Sequence, residues 1–223
     1  MVQYKFYYFD IRGLGEVFLF VVFNGYRRST IKKNFSVTLV TIFLFLVFIM
    51  LVKSLKIYVL HMNKFFYGKV PVLEVDGKQL SQSGAILQYL ANKFGLAGKD
   101  DWEKAKIIEI FDFYRDVFNE LAPYNYAKWG VREGDVDQLR KTVFLPCAER
   151  VFPLFVKLLA ESGSGFFGSS GLTYVDFVLA EYFEAVRSIE PEVIGKYKEL
   201  TDFVAKVYAE PKLKTYLSTR KTN

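Results

Sequence analysis

Residues 68–96 read GKVPVLEVDGKQLSQSGAILQYLANKFGL, and this stretch decides the fold. Val70, Val72, Leu73 and Val75 form a short β-prone run, and Asp76-Gly77 is a strong two-residue hairpin signal. A second short strand is predicted over Lys78 to Leu80. Ser81 to Ser83 then open an amphipathic helix in which Ile86, Leu87, Leu90 and Phe94 recur at helical spacing, and Gly95 stops it. The order is therefore strand, hairpin, strand, polar turn, helix.

That order is the second half of a thioredoxin-like domain, and it resembles the glutathione-binding half of the cytosolic glutathione transferases. The resemblance implies that Pro71 follows a cis peptide bond and presents the backbone at Val70 to the cysteinyl part of glutathione, with Gly68 and Lys69 beside it. It also implies that Gln82 and Ser83 sit at a helix N-terminus. There the Ser83 hydroxyl, the free N–H groups and the helix dipole can hold the γ-glutamyl carboxylate. Without the resemblance, the same residues read as a plain strand-to-helix turn with a serine cap.

Toward the N-terminus, Lys5 to Phe9 read as a strand, followed by a turn at Asp10 to Gly13. The phrase Tyr8-Phe9-Asp10-Ile11-Arg12-Gly13 is similar to the opening of sigma-class glutathione transferases, notably those of nematodes. The resemblance makes Tyr8 the catalytic residue, its hydroxyl hydrogen-bonded to the glutathione sulfur. A free thiol titrates near 8.5, so at neutral pH it is mostly protonated. A neutral hydroxyl aimed at the sulfur stabilises the thiolate through a charge-assisted hydrogen bond and needs no base. Side-chain alternation puts Tyr4, Phe6 and Tyr8 on one strand face and Tyr7 on the other. An aromatic residue on a strand, taken alone, reads as core.

Between about residues 18 and 66 the family pattern fails, and the interval is longer than that pattern. No tryptophan precedes Trp102, although the family draws a tryptophan and a lysine for glutathione from this region. The run from Asn34 to Val52 carries no charge. As a helix it would span roughly 28 Å, close to the thickness of a bilayer's hydrocarbon core. It reads as a membrane span, as a divergent insertion, or as sequence never selected to fold, such as a translated noncoding stretch. The third reading accounts for most. The run lacks acidic residues, and a true span there would pull the first strand away from the Val70 strand.

Toward the C-terminus, Leu96-Ala97-Gly98 is a linker and the rest reads as helical. Asp101 is expected to cap a helix that carries Ile107, Phe111, Tyr114 and Phe118 on one face. A second helical segment runs from Asp135 to Glu161, with Pro146 and Pro153 as kinks or breaks. Residues 162–170 are rich in glycine and serine and read as loop. Thr173 and Asp176 stand at capping-box spacing at the start of the next helix, as they do in the family. Helices over Lys196 to Tyr208 and Leu213 to Thr219, parted by Pro211, complete the chain. On the helix that Asp101 opens, Asp112 and Asp116 lie one turn apart. Asp112 reads as a solvated edge, whereas the resemblance makes Asp116 the residue that reaches across a dimer to the glutathione amino group.

Composition narrows the function classes. One cysteine, Cys147, and one histidine, His61, exclude an internal disulfide and a His/Cys zinc site. The net charge of +6 hints at nucleic acid, but its distribution argues against it. No acidic residue falls between Glu16 and Glu74, and eight basic ones do, leaving the rest nearly neutral. No phosphate-binding loop or nucleophile elbow is present. Lys5, Asp10 and Arg12 interrupt the N-terminal apolar run, so no secretory signal is expected.

The expected architecture is an α/β thioredoxin-like domain over residues 1–95, interrupted at 18–66, followed by an all-α helical domain over 98–223. The resemblance implies a cytoplasmic homodimeric enzyme with glutathione as co-substrate, no further cofactor, and a small electrophilic or hydrophobic acceptor. That acceptor would bind between Tyr8 and the first helices of the second domain. Two alternatives stand beside it: a non-catalytic glutathione-binding or structural relative, and a protein anchored in a membrane through residues 34–52.

Overall fold

The computed structural model describes residues 4–8, 17, 18, 20, 21 and 63–217. The apolar run at 34–52, most of the atypical interval, and the turn at Asp10 to Gly13 lie outside the described residues. Among the described residues, no helix is long and apolar enough to cross a membrane.

Three strands form one antiparallel sheet in the order β1 (Tyr4–Tyr7), β2 (Val72–Val75), β3 (Lys78–Ser81). The hairpin forms as its sequence dictates. Asp76 and Gly77 both take positive φ, 48° and 81°, the backbone that a tight two-residue turn with matching twist requires. Strand β1 stops one residue before Tyr8, so the expected Lys5-to-Phe9 strand is shifted toward the N-terminus. The face alternation holds: Phe6 is buried, and Tyr4 and Tyr8 pack against the core on its side. Tyr7 points the other way, its ring against Phe65 and its hydroxyl on Glu74 Oε2 at 3.4 Å.

Helix α1 (Ser83–Phe94) buries Ile86, Leu87, Leu90 and Ala91. It ends as expected at Gly95, whose left-handed backbone (φ 72°) lets its N–H reach Ala91 O. Helix α2 (Asp101–Lys128) follows. Its cap is Asp100 rather than Asp101, because the Asp100 side chain accepts from Glu103 N at 2.8 Å and Asp101 is already helical. Gly84 permits the close approach of α1 to α2, since a Cβ there would stand 3.0 Å from the Phe111 ring.

The Asp135-to-Glu161 segment divides into α3 (Val136–Leu139), a π-helical turn over Arg140–Phe144, and α4 (Leu145–Ser162). Pro146 lies inside this unbroken helical run, and the widening just before it makes room for its ring: Leu145 N–H donates to Arg140 O, five residues back. Pro153 lies inside α4 and does not end it. Helices α5 (Tyr174–Ile189), α6 (Pro191–Ile194), α7 (Lys198–Tyr208) and α8 (Pro211–Leu217) complete the described chain.

The sheet, α1 and the helical part share one apolar core. Phe6 meets Phe18 at 4.5 Å, Phe20 meets Phe177 edge-on at 5.8 Å, and Phe155, Phe183 and Phe203 pack edge to face. This is a thioredoxin-like α/β part joined to an all-helical part.

A buried carboxylate fastens the linker. Glu103, 5% exposed, accepts from Lys99 N at 2.6 Å, Ser170 N at 2.6 Å and Ser169 Oγ at 2.8 Å, tying the start of α2 to the Gly/Ser loop. Burial alone would raise its carboxyl, but these donors outweigh it and hold the group down at about 2. A folded pKa below the unfolded one gives stability that is present above about pH 4.5 and lost as pH falls toward 2. Glu103→Gln should cost about 1.5–3 kcal/mol at pH 7 and flatten the acid limb of the stability curve. Urea unfolding of both proteins at pH 7 and pH 3 checks this. Equal losses at the two pH values would refute it.

Candidate functional site

The register of the sheet gathers the sequence-predicted residues. Tyr7 pairs with Val72, and Val72 with Ser81. One step beyond these partners, at the same end of the sheet, come Tyr8 from β1, Pro71 and Val70 ahead of β2, and Gln82 and Ser83 after β3. Tyr8, from a segment more than sixty residues away, therefore meets the two ends of the β2–β3 hairpin at one end of the sheet.

Each has a distinct local geometry. The Val70–Pro71 bond is cis. Gly68, at φ 58°, donates its N–H to Phe65 O at 2.9 Å, which folds the approach to Pro71 and leaves Lys69 exposed. Gln82 holds an uncommon positive φ of 71° immediately before α1. Gln82 makes no side-chain cap, and the first turn of α1 carries no acidic residue. The first N–H groups of a helix have no intrahelical partner, so this end suits a carboxylate.

Tyr8 is half-buried, its ring 6.0 Å from Phe6 in a stacked arrangement. Burial, with the Tyr126 hydroxyl as the second influence, pushes its phenol up to about 12. At neutral pH it is a hydrogen-bond donor and not a base. Tyr114 on α2 is fully buried and is likewise pushed up, by burial first and then by Tyr8 and Tyr126. The α2 face opposite Tyr8 is aromatic: Tyr114 meets Phe118 at 6.0 Å, Phe118 meets Tyr126 at 6.5 Å, and Tyr126 meets Trp129 at 6.4 Å.

Tyr126 is the site residue that the sequence reading missed. Its signal was present, because it continues the Tyr114, Phe118 series by two further steps of four, across Pro123. Asp116 does not join the sheet edge. It is exposed on α2 beside Asp112, whose carboxylate approaches Arg115 at 3.8 Å. Among the described residues, no group of His, Cys, Asp and Glu is arranged to hold a metal ion.

A thioredoxin-like sheet whose end assembles a tyrosine, a cis-proline and an uncapped helix start, followed by an all-helical part, defines a class of glutathione-binding proteins. The family models agree. "Glutathione S-transferase, N-terminal domain" matches residues 53–92 and "Glutathione S-transferase, C-terminal domain" matches residues 115–220.

The chain belongs to the glutathione S-transferase family. It is 33% identical over 220 residues to probable glutathione S-transferase 9 of Caenorhabditis elegans, covering 99% of this chain and 98% of that one. It is 40% identical over 154 residues to probable glutathione S-transferase 5 of the same organism. Those 154 residues are 69% of this chain and 74% of the relative, so this chain is the longer of the two. Among solved structures, a glutathione S-transferase from Necator americanus described as monomeric is 32% identical with a TM-score of 0.82, covering 99% of this chain and 98% of that one.

Proposed function

We propose that this glutathione transferase, of the sigma or nematode type, joins the glutathione thiolate to small electrophiles. The observation that carries this is the convergence of Tyr8, the cis Val70–Pro71 bond and the start of α1 on one sheet edge. In this reading the backbone at Val70 pairs with the cysteinyl unit, Gly68 and Lys69 flank it, and Gln82, Ser83 and the α1 N-terminus hold the γ-glutamyl carboxylate. Tyr8 donates to the sulfur. Glutathione is the co-substrate, no further cofactor takes part, and the protein works in the cytoplasm. Residues 1–95 and 98–223 act as the two domains, with the acceptor bound between Tyr8 and the aromatic face of α2.

Retention on immobilised glutathione, followed by turnover of a halogenated dinitrobenzene, tests this reading. Retention without turnover would leave a glutathione-binding relative, and the absence of both retention and turnover would refute the reading altogether.

We further propose a homodimer in which Asp116 faces the partner's glutathione amino group. Asp116→Ala should raise the KM for glutathione about two- to fivefold with little change in kcat at saturation, the sign of lost uniform binding. An active monomer in sedimentation, or an unchanged KM, would contradict it.

A further inference from the structure

Beyond the aromatic wall of the acceptor side stands a cation that the conjugation chemistry itself does not use. After α2 the chain folds back on its own last turn, with Val131 N and Arg132 N both donating to Tyr126 O, at 2.8 and 3.2 Å. That return lays the Arg132 guanidinium over the Tyr126 ring, 5.0 Å from its centroid. Arg132 is exposed and makes no ion pair among the described residues. Its neighbour Glu133 is likewise exposed and pairs with nothing among them, and the nearest charge back along α2 is another cation, Lys128.

We propose that Arg132, stacked on Tyr126, makes the acceptor site selective for planar electrophiles that carry a carboxylate. This deepens the conjugating role proposed above and rests on it. Phe118, Tyr126 and Trp129 offer flat apolar surface to a conjugated ring, and the guanidinium at the rim of that surface supplies the positive charge. A planar guanidinium held by ring stacking keeps its N–H groups free for an anion, and it matches a carboxylate in two-pronged geometry. Tyr126 continues the ring series of Tyr114 and Phe118 on α2, the face to which the acceptor is assigned above, so the stacked guanidinium stands at the rim of that face.

A matched pair of acceptors tests this: 4-chloro-3,5-dinitrobenzoate and its methyl ester, each with glutathione. In both, the sulfur lone pair forms a carbon–sulfur bond at the chlorine-bearing carbon. The ring holds the added electron pair until chloride leaves with the carbon–chlorine pair, and the thiol proton has already passed to solvent. The readout is the ratio of kcat/KM for the carboxylate to that for the ester, each corrected for the uncatalysed rate. Because Arg132 is exposed, Arg132→Gln should lower that ratio only about two- to fivefold, chiefly through the KM of the carboxylate. Arg132→Lys, which keeps the charge but loses the planar stacked fork, should fall between Arg132→Gln and the wild type, and about 0.5 M salt should reduce the ratio in the wild type. A ratio that does not change in Arg132→Gln, or that falls as far in Arg132→Lys, overturns the proposal while leaving the transferase reading standing. Turnover of neither acceptor by the wild type overturns the transferase reading and the proposal together.

Discussion

Replacing Asp176 by alanine should cost about 3–4 kcal/mol of stability at pH 5, as much as truncating a buried core side chain. The carboxylate is fully buried at the start of α5, and both of its oxygens accept. Oδ1 takes Phe167 N–H at 2.6 Å, and Oδ2 takes Thr173 N–H at 2.6 Å and Thr173 Oγ1 at 3.0 Å. One side chain thus closes the capping box of α5 and fixes the end of the Gly/Ser loop. Alanine leaves two backbone N–H groups and a hydroxyl stranded in the core. For a chain of this size the melting temperature should fall by about 10 °C. Asp176→Asn should fall between alanine and wild type, because its amide keeps one accepting oxygen but turns NH₂ toward a donor.

The pH dependence has a definite sign. Burial pushes the Asp176 carboxyl up to about 7, since the cost of desolvating the charge exceeds what its three donors and the nearby Lys206 return. A folded pKa above the ordinary carboxylate value gives stability that is complete below about pH 4 and lost as pH rises through about 7. The gap between wild type and Asp176→Ala should therefore narrow from pH 5 to pH 8. A gap that widens over that range, or a loss under 1 kcal/mol throughout, would refute the account.

What could be read from the sequence follows the range of the interactions involved. The Asp76-Gly77 hairpin, the Gly95 stop and the Thr173/Asp176 box each depend on residues within a few positions of one another, and all three formed as expected. Glu103 gave no such signal, because its partners Ser169 and Ser170 lie more than sixty positions away. The capping role passed from Asp101 to Asp100 because either aspartate satisfies the composition rule, and only the backbone angles choose between them. The π turn before Pro146 is likewise a matter of ring sterics against the preceding helix. The site itself was legible as residue types and not as an assembly. Tyr8, Pro71 and Gln82 carried recognisable contexts, but their meeting at one edge depends on a strand register spanning more than sixty residues. Tyr126 lies past Pro123, a residue type that ordinarily kinks or ends a helix but here sits inside α2.

Tyr8→Phe should lower kcat by about 10- to 100-fold while weakening glutathione binding far less. The ring of Tyr8 packs on Phe6 and belongs to the core, and phenylalanine preserves that packing, so the variant should fold. What it removes is one donor to a developing anion, worth about 1.5–3 kcal/mol. Tyr8 itself stays protonated across the working range, because burial pushes its phenol up to about 12. The ascending limb of the rate against pH must then belong to the glutathione thiol. Removing the donor should move that limb upward by roughly one to two pH units, since each unit corresponds to about 1.4 kcal/mol. At pH values above the displaced limb the variant should recover much of the lost rate, because the thiolate then forms without help. A general base at this position would behave differently: its removal would abolish the limb, and high pH would restore little. Near wild-type turnover at pH 7, or a rate loss that does not depend on pH, would remove Tyr8 from the sulfur and leave it as core.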